Sequence, residues 1–247
     1  MTELIQQAAD LLNSAQSILI FTGAGMSKES GIPTYREPLT GIWENVDPMM
    51  MATQIGYMLM PEQAWQWHDY FRTLMTDAQP NAGHAALAQW QTRSSRLNIL
   101  TQNIDDLHER AGSVDVVHLH GRVFTHKCFQ NCQGTPTMIQ LANLSDARQP
   151  PHCPHCDGFV RPAVVWFGEM LDPVNVRAMR AFTEQAEVVL CIGLSGAITY
   201  NVPQTIRDKG GKVIEINPNA SSITEMADVW LQDSAAHMLP LLIEQLI

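Results

Sequence analysis

The chain has 247 residues, 45% of them hydrophobic and 16% charged, with a formal net charge of −10. That length and apolar content can bury a core large enough for one sizeable α/β domain plus a small insert. The acidic balance and the lack of any Lys/Arg run argue against a nucleic-acid partner, whose phosphates would need a basic face. The opening stretch, MTELIQQAADLL, carries no basic n-region, and no apolar run approaches the length of a membrane span. A cytoplasmic protein with no membrane partner is the expectation.

Apolar residues at Leu4, Ile5, Ala8, Leu11, Leu12 and Ala15 recur with a helical period. A short strand, Ser17–Phe21, then runs into Thr22-Gly23-Ala24-Gly25. A strand ending in a glycine turn brings backbone N–H groups close to a bound anion. The dinucleotide fingerprint wants a third glycine three residues after Gly25, where this chain has Lys28. The loop instead runs on through Gly31-Ile32-Pro33 to Tyr35-Arg36. Residues 38–60 hold Trp43 and a cluster of methionines, Met49, Met50, Met51, Met58 and Met60, which read as an adaptable core helix or as an apolar wall for a substrate chain.

Helices are expected over Pro61–Met75 and Ala85–Gln91, then strands over Leu97–Leu100 and Val114–Leu119. Val160–Phe167 reads as a strand, a helix is expected near Asn175–Gln185, and Val188–Ile192 as a further strand. A helix to Lys209, the strands Lys212–Ile216 and Asp228–Leu231, and a closing helix His237–Ile247 complete the series. Strands alternating with helices imply a doubly wound parallel sheet. The strand ends carry Thr22-Gly23, Thr101-Gln102-Asn103, His120-Gly121, Gly193-Leu194-Ser195 and Asn217. Parallel sheets bind ligands outside their carboxyl ends, which makes these polar groups candidates for one site.

Cys128 and Cys132 form one close pair, Cys153 and Cys156 another, and Cys191 lies alone in an apolar strand as an inert core residue. Two such pairs can close a tetrahedral four-thiolate site of the zinc-ribbon kind, structural because no position is left open for water. The segment between is rich in Gln, Asn, Pro and Gly and cannot build its own core, so metal is expected to hold it.

Taken together, Gly23-Ala24-Gly25-Met26-Ser27, Gly31-Ile32-Pro33-Thr34-Tyr35-Arg36, Thr101-Gln102-Asn103-Ile104-Asp105-Asp106-Leu107-His108, His120-Gly121, the cysteine pairs and Val164-Val165-Trp166-Phe167-Gly168-Glu169 resemble the sirtuins, NAD-dependent protein lysine deacylases. The resemblance implies a Rossmann-like NAD-binding domain over 1–34, 76–123 and 162–247. A smaller domain is implied from a helical insert, 35–75, and a zinc-binding part, 124–161. NAD+, consumed as a co-substrate, and an acyl-lysine protein or peptide would meet in the cleft between the two. The cofactor would be held by Gly23, Ala24, Gly25, Ser27, Thr34, Tyr35, Arg36, Gln102, Asn103, Ile104 and Asp105, and by Gly193, Leu194, Ser195, Asn217 and Ala235. Asn103 and Asp105 would join His120 in catalysis. In sirtuins the acyl oxygen attacks the ribose C1′, nicotinamide leaves, and a base activates a ribose hydroxyl. His120 would be that base, a role suited to imidazole. His118 lies on the same expected strand face. Val164, Val165, Phe167, Gly168 and Glu169 would bind the substrate, partly as an added strand, with Phe167 enclosing the lysine stem.

The chain departs from the family at Leu194, where a Thr is usual, in a shortened segment after Ser195, at Pro218-Asn219, and at Tyr35, where Phe is more common. These departures leave a mono-ADP-ribosyltransferase or NAD hydrolase as the alternative, and a non-enzymatic NAD sensor as a third. Sirtuins that remove succinyl or malonyl groups carry a Tyr-x-x-Arg pair, and the corresponding positions here are His68 and Phe71. Neutral acyl groups are therefore the expected substrates, with weak activity on acidic ones.

Overall fold

A computed structural model of the chain describes residues 2–34, 46–141 and 148–246. Contacts divide the chain into two compact units, one of Met1–Tyr35, Ala78–Leu119 and Asp172–Ile247, the other of Arg36–Asp77 and His120–Leu171.

The first unit is built on six parallel strands: β1 (Ile18–Thr22), β2 (Leu97–Thr101), β3 (Val117–His118), β7 (Val188–Ile192), β8 (Lys212–Ile216) and β9 (Val229–Leu231). Their spatial order is β3-β2-β1-β7-β8-β9. With the strands of the other unit left out of the count, this is the 3-2-1-4-5-6 order of a dinucleotide-binding sheet, reversing between β1 and β7. Every residue of β1 and of β7 is buried, as expected of parallel strands covered on both faces. On one face Ile18, Ile20, Ile99, Leu190 and Ile214 pack with Leu12, Leu87 and Leu239 from the helices α1 (Thr2–Ser14), α5 (Ala82–Arg93) and α9 (Ala235–Ile243). α7 (Pro173–Gln185) and α8 (Val202–Asp208) pack on each other, and α8 also packs on β7 and β8. Cys191 is fully buried in β7, and burial raises its thiol pKa, so it is the inert core residue expected.

The second unit pairs β4 (Gly121–Cys128) antiparallel with β5 (Met138–Ile139) and β6 (Val160–Val164). Among the described residues, the helices α2 (Pro48–Met51), α3 (Gln54–Leu59) and α4 (Pro61–Asp77) accompany them. The methionine-rich stretch is thus two short helices, with Met51 buried and Met58 exposed. Trp43 lies outside the described residues.

Three elements are shorter than their sequence pattern. The strand expected over Val114–Leu119 narrows to β3 because Asp115 adopts a left-handed φ of 54°. β6 stops at Val164 because, beyond the Val165 amide that still bonds to the His120 carbonyl, the amides turn elsewhere, Trp166 N to Glu169 and Phe167 N to the Ala52 carbonyl. The helix leading to Lys209 begins only at Val202, since Gly196, Tyr200 and Asn201 all take positive φ.

Candidate active site

At the reversal point of the sheet, the glycine loop packs backbone against backbone. Gly23 N donates to Ile192 O and Gly25 N to Gly193 O, both at 2.9 Å. The chain then winds through two short 3-10 turns, Ala24–Met26 and Lys28–Ser30, and Lys28 occupies the place of the missing third glycine without closing a Rossmann helix. Asn81 caps α5 by accepting from Gly83 N and His84 N, while its Nδ2 donates to Met26 O and Ser30 Oγ. One side chain therefore both starts a helix and holds the loop.

Ser27, Asn103 and Asp105 meet at the carboxyl ends of β1 and β2. Ser27 Oγ donates to Asp105 Oδ2 at 2.9 Å, and Asn103 Nδ2 donates to Ser27 Oγ at 3.0 Å. Asp105 is 3% exposed; burial raises its pKa, while the Leu107 amide and the Ser27 hydroxyl pull it back. Asn103 N donates to Thr101 Oγ1, which also accepts from Thr22 Oγ1. Thr22 Oγ1, having given its proton, accepts from His108 Nε2 at 3.1 Å. His108 and His84 are buried, with ring centroids 5.0 Å apart, and burial lowers their pKa values to about 3 and about 4. Gln102 Nε2 reaches Ile198 O, and Ile104 is half-buried beside it in the chain.

The remaining expected cofactor residues divide. Leu194 is 2% exposed and packs its side chain against Gly23, so apolar contact stands where the family has a hydroxyl. Asn217 Nδ2 is engaged with Leu194 O at 2.7 Å, which ties the end of β8 to that loop. Ser195 Oγ accepts from Ala197 N, and Ala235 is buried at the first position of α9. Thr34 is half-buried, whereas Tyr35 and Arg36 lie outside the described residues.

In the second unit, His120 is followed by Gly121 with φ 74°, where an added Cβ would lie 2.0 Å from Ala163 O. Only glycine allows β4 to start this close to β6. The His120 carbonyl accepts from Val165 N at 2.8 Å, joining the expected base to the start of the expected peptide-pairing stretch. Phe167 is 40% exposed and Gly168 has φ 82°. Glu169 does not present a free carboxylate: both oxygens bind the guanidinium of buried Arg161, and they also accept from Trp166 N and Gln54 Nε2. That guanidinium sits 3.1 Å over the Trp166 ring. His68 is buried with both ring nitrogens used, Nδ1 toward Ala64 O and Nε2 accepting from Trp166 Nε1, and burial lowers its pKa to about 4. It supports Trp166 and has no polar atom left for a ligand. Phe71 packs edge-on against Trp67, and Arg72 is paired with Asp69.

The sulfurs of Cys128, Cys132, Cys153 and Cys156 all lie within 4.8 Å of one another. Cys128 to Cys156 is 3.6 Å and Cys132 to Cys153 is 3.8 Å. A tetrahedral zinc with Zn–S bonds of about 2.3 Å requires sulfurs about 3.8 Å apart, so the four thiols fit that ion. His152 turns to the Asp157 carbonyl and takes no part. No helix among the described residues is long and apolar enough to cross a membrane.

No role is read from the sequence for Asn81, His108 or Arg161, and Thr22 and Thr101 stand among the strand-end candidates without the bond that joins them. A polar signal existed for two of them: Asn81 three residues before His84 has capping-box spacing, and Arg161 is a lone charge in an apolar run.

Comparison with known proteins gives a consistent result. A sequence profile of the Sir2 family matches residues 23–200. An NAD-dependent protein deacylase of Corynebacterium glutamicum is 38% identical over 98% of this chain and 96% of that protein. NAD-dependent protein deacylase 1 of Pseudomonas aeruginosa is 36% identical over 98% of each chain. Among solved structures, a Sir2 homolog–NAD complex superposes with a TM-score of 0.88 at 33% identity, covering 97% of this chain and 92% of that one. A Sir2–p53 peptide–NAD+ complex gives 0.83 at 26% identity, covering 98% of each.

Proposed function

Because this chain belongs to the Sir2 family, we propose that it is an NAD-dependent protein lysine deacylase, moving a neutral acyl group from lysine to ADP-ribose with release of nicotinamide. The observation that carries this reading is the buried Ser27–Asn103–Asp105 cluster at the reversal point of a dinucleotide-binding sheet. NAD supplies the ribose carbon that takes the acyl oxygen. Asn103 and Asp105 bind its nicotinamide half, since a carboxamide and a carboxylate match an amide and its ribose hydroxyls. The backbone of Gly23–Gly25 with Ser27 holds the phosphate side, and Asn217 the adenosine side. His120 takes the proton from the attacking hydroxyl. The stretch Val164–Phe167 pairs with the peptide as an added strand.

Preference for neutral acyl groups is supported by His68 and Phe71. The first is neutral and spent on Trp166, the second has no charge, and Arg72 is held by Asp69. Nothing at these positions offers a bidentate grip on an acyl carboxylate.

The test is to incubate the protein with NAD and acetyl-lysine peptide and identify products by mass. Acylated ADP-ribose supports the reading; ADP-ribosylated protein or free ADP-ribose without deacylation overturns it. His120→Ala is expected to abolish turnover, and succinyl-lysine peptide should react more slowly than acetyl-lysine peptide.

A further inference from the structure

His118 is buried, its side chain only 4% exposed, and no step above uses it. Its Nδ1 lies 2.9 Å from the Asn103 carbonyl oxygen, and its Nε2 lies 2.9 Å from Glu109 Oε1. Both partners are acceptors only. A neutral imidazole has one donor and one acceptor nitrogen, so in either tautomer a lone pair would face an oxygen in a buried setting. The geometry is satisfied when the ring carries both protons and stands as a cation against the Glu109 carboxylate.

We propose that His118 is a positioning residue for the nicotinamide half of the site. As a doubly protonated ring bridging Glu109 and the Asn103 carbonyl, it holds Asn103 in place from behind. The inference rests on the reading of Asn103 and Asp105 as cofactor-binding. Three bonds then define Asn103: Thr101 Oγ1 on its N–H, His118 on its carbonyl and Ser27 on its side chain. Glu109 belongs to α6 (Leu107–Arg110), so the ring also ties that turn to β3. The charge has a further effect. Burial raises the Asp105 pKa, and the His118 cation is among the groups opposing that rise. Among the described residues His108 is a further ionisable group coupled to the ring, and burial is the main cause that disfavours its protonation. From the packed helix α7 the contact is neutral, Asn175 Nδ2 donating to His118 O at 2.7 Å.

Two measurements decide it. In 15N-histidine-labelled protein at neutral pH, the resonance pair that disappears in His118→Gln is expected to show both ring nitrogens protonated. A neutral tautomer there overturns the proposal. Kinetically, His118→Gln is expected to raise the KM for NAD on the order of ten- to a hundredfold, the usual effect of slightly misplacing a binding group, with the peptide KM unchanged. Glu109→Gln, at a side chain 26% exposed and thus the milder change, should do the same to a smaller degree. It remains informative if His118→Gln does not fold. Wild-type KM for NAD in both variants overturns the proposal. A wild-type protein that consumes no NAD sinks the functional reading instead, while the nitrogen spectrum still reports on His118.

Discussion

A methyl group at Gly25 would lie 2.6 Å from Gly193 Cα and 2.9 Å from its carbonyl oxygen, well inside contact distance of main chain. The reverse holds at Gly193, where an added Cβ would meet Gly25 backbone at 2.5 Å. Gly25→Ala is therefore expected to cost about 1–3 kcal/mol through overpacking and to spread the glycine loop from the β7 end. Gly31→Ala serves as its comparison: φ is 88° but nothing lies within 4 Å, so only the left-handed backbone is penalised, by about 1–2 kcal/mol. Both variants should lower the melting temperature, but only Gly25→Ala should also raise the KM for NAD severalfold. Equal effects on KM would remove the special role given to the Gly25–Gly193 contact. The residue pattern alone read Gly23 and Gly25 as room for a phosphate. It could not show that the glycines also admit another loop, because Gly193 is far away in sequence and glycine carries no side chain to betray its partner. His118 and His120 show the same limit. Alternation put them on one strand face, yet β3 ends at His118, whose ring is placed by partners that no spacing rule names.

At the scale of elements, the cysteine module is the part most dependent on something outside the polypeptide. Its apolar cluster consists of Cys128, Ile139, Cys153 and Val160, with Leu141 packed against it, and two of these are the metal-binding thiols themselves. Burying a side chain of this size contributes about 1.5–3 kcal/mol. Ordering the chain costs about 1–2 kcal/mol per residue, so this cluster, even with Phe129 and Phe159 packed on Tyr57, offsets only part of that cost. A structural zinc contributes apparent binding energy of about 10–16 kcal/mol, more than any one of these side chains. One zinc per chain should therefore be found by metal analysis, and Cys153→Ser should lose it. Chelation should open the β4-β5-β6 sheet, seen as loss of amide protection there, while β1, β2 and β7 keep theirs. Full protection in metal-free protein would refute the dependence. The paired cysteines make this element legible in the sequence alone, because thiolate spacing encodes a tetrahedron directly. The strand ends were legible for a related reason, since apolar runs closing on polar residues mark the carboxyl edge of a parallel sheet. What escaped was the support beneath them. Arg161 binding Glu169 and covering Trp166, and Asn81 joining α5 to the loop, depend on long-range packing that local pattern does not carry.

Among the described residues four buried histidines are held neutral, His68 and His126 in the second unit and His84 and His108 in the first. Burial lowers their pKa values from 6.5 to about 4 for His68, His126 and His84 and to about 3 for His108. Below pH 6.5 the unfolded chain takes up these protons and the folded chain does not, so stability falls as pH falls, until the folded rings also protonate near pH 3–4. Each ring should cost about 1–2 kcal/mol at pH 5 relative to pH 7. Together they remove a large part of a typical stability of about 5–15 kcal/mol. The carboxylates of Glu169 and Asp228, whose pKa values are lowered by Arg161 and by the Val213 amide with Lys212, lose their contribution only below about pH 4. Between pH 6.5 and 4.5 the histidines therefore dominate. Urea midpoints should drop steeply over that window, in both units. Thiol protonation also releases metal in acid, so the discriminating measurement is the difference between wild type and His84→Gln. Glutamine can still accept from Asn81 N, as in an ordinary capping box, and it does not titrate. The variant should show a pH dependence shallower by the share of one ring. A slope identical to wild type would mean that His84 takes up its proton without unfolding, and that the acid sensitivity of this fold lies elsewhere.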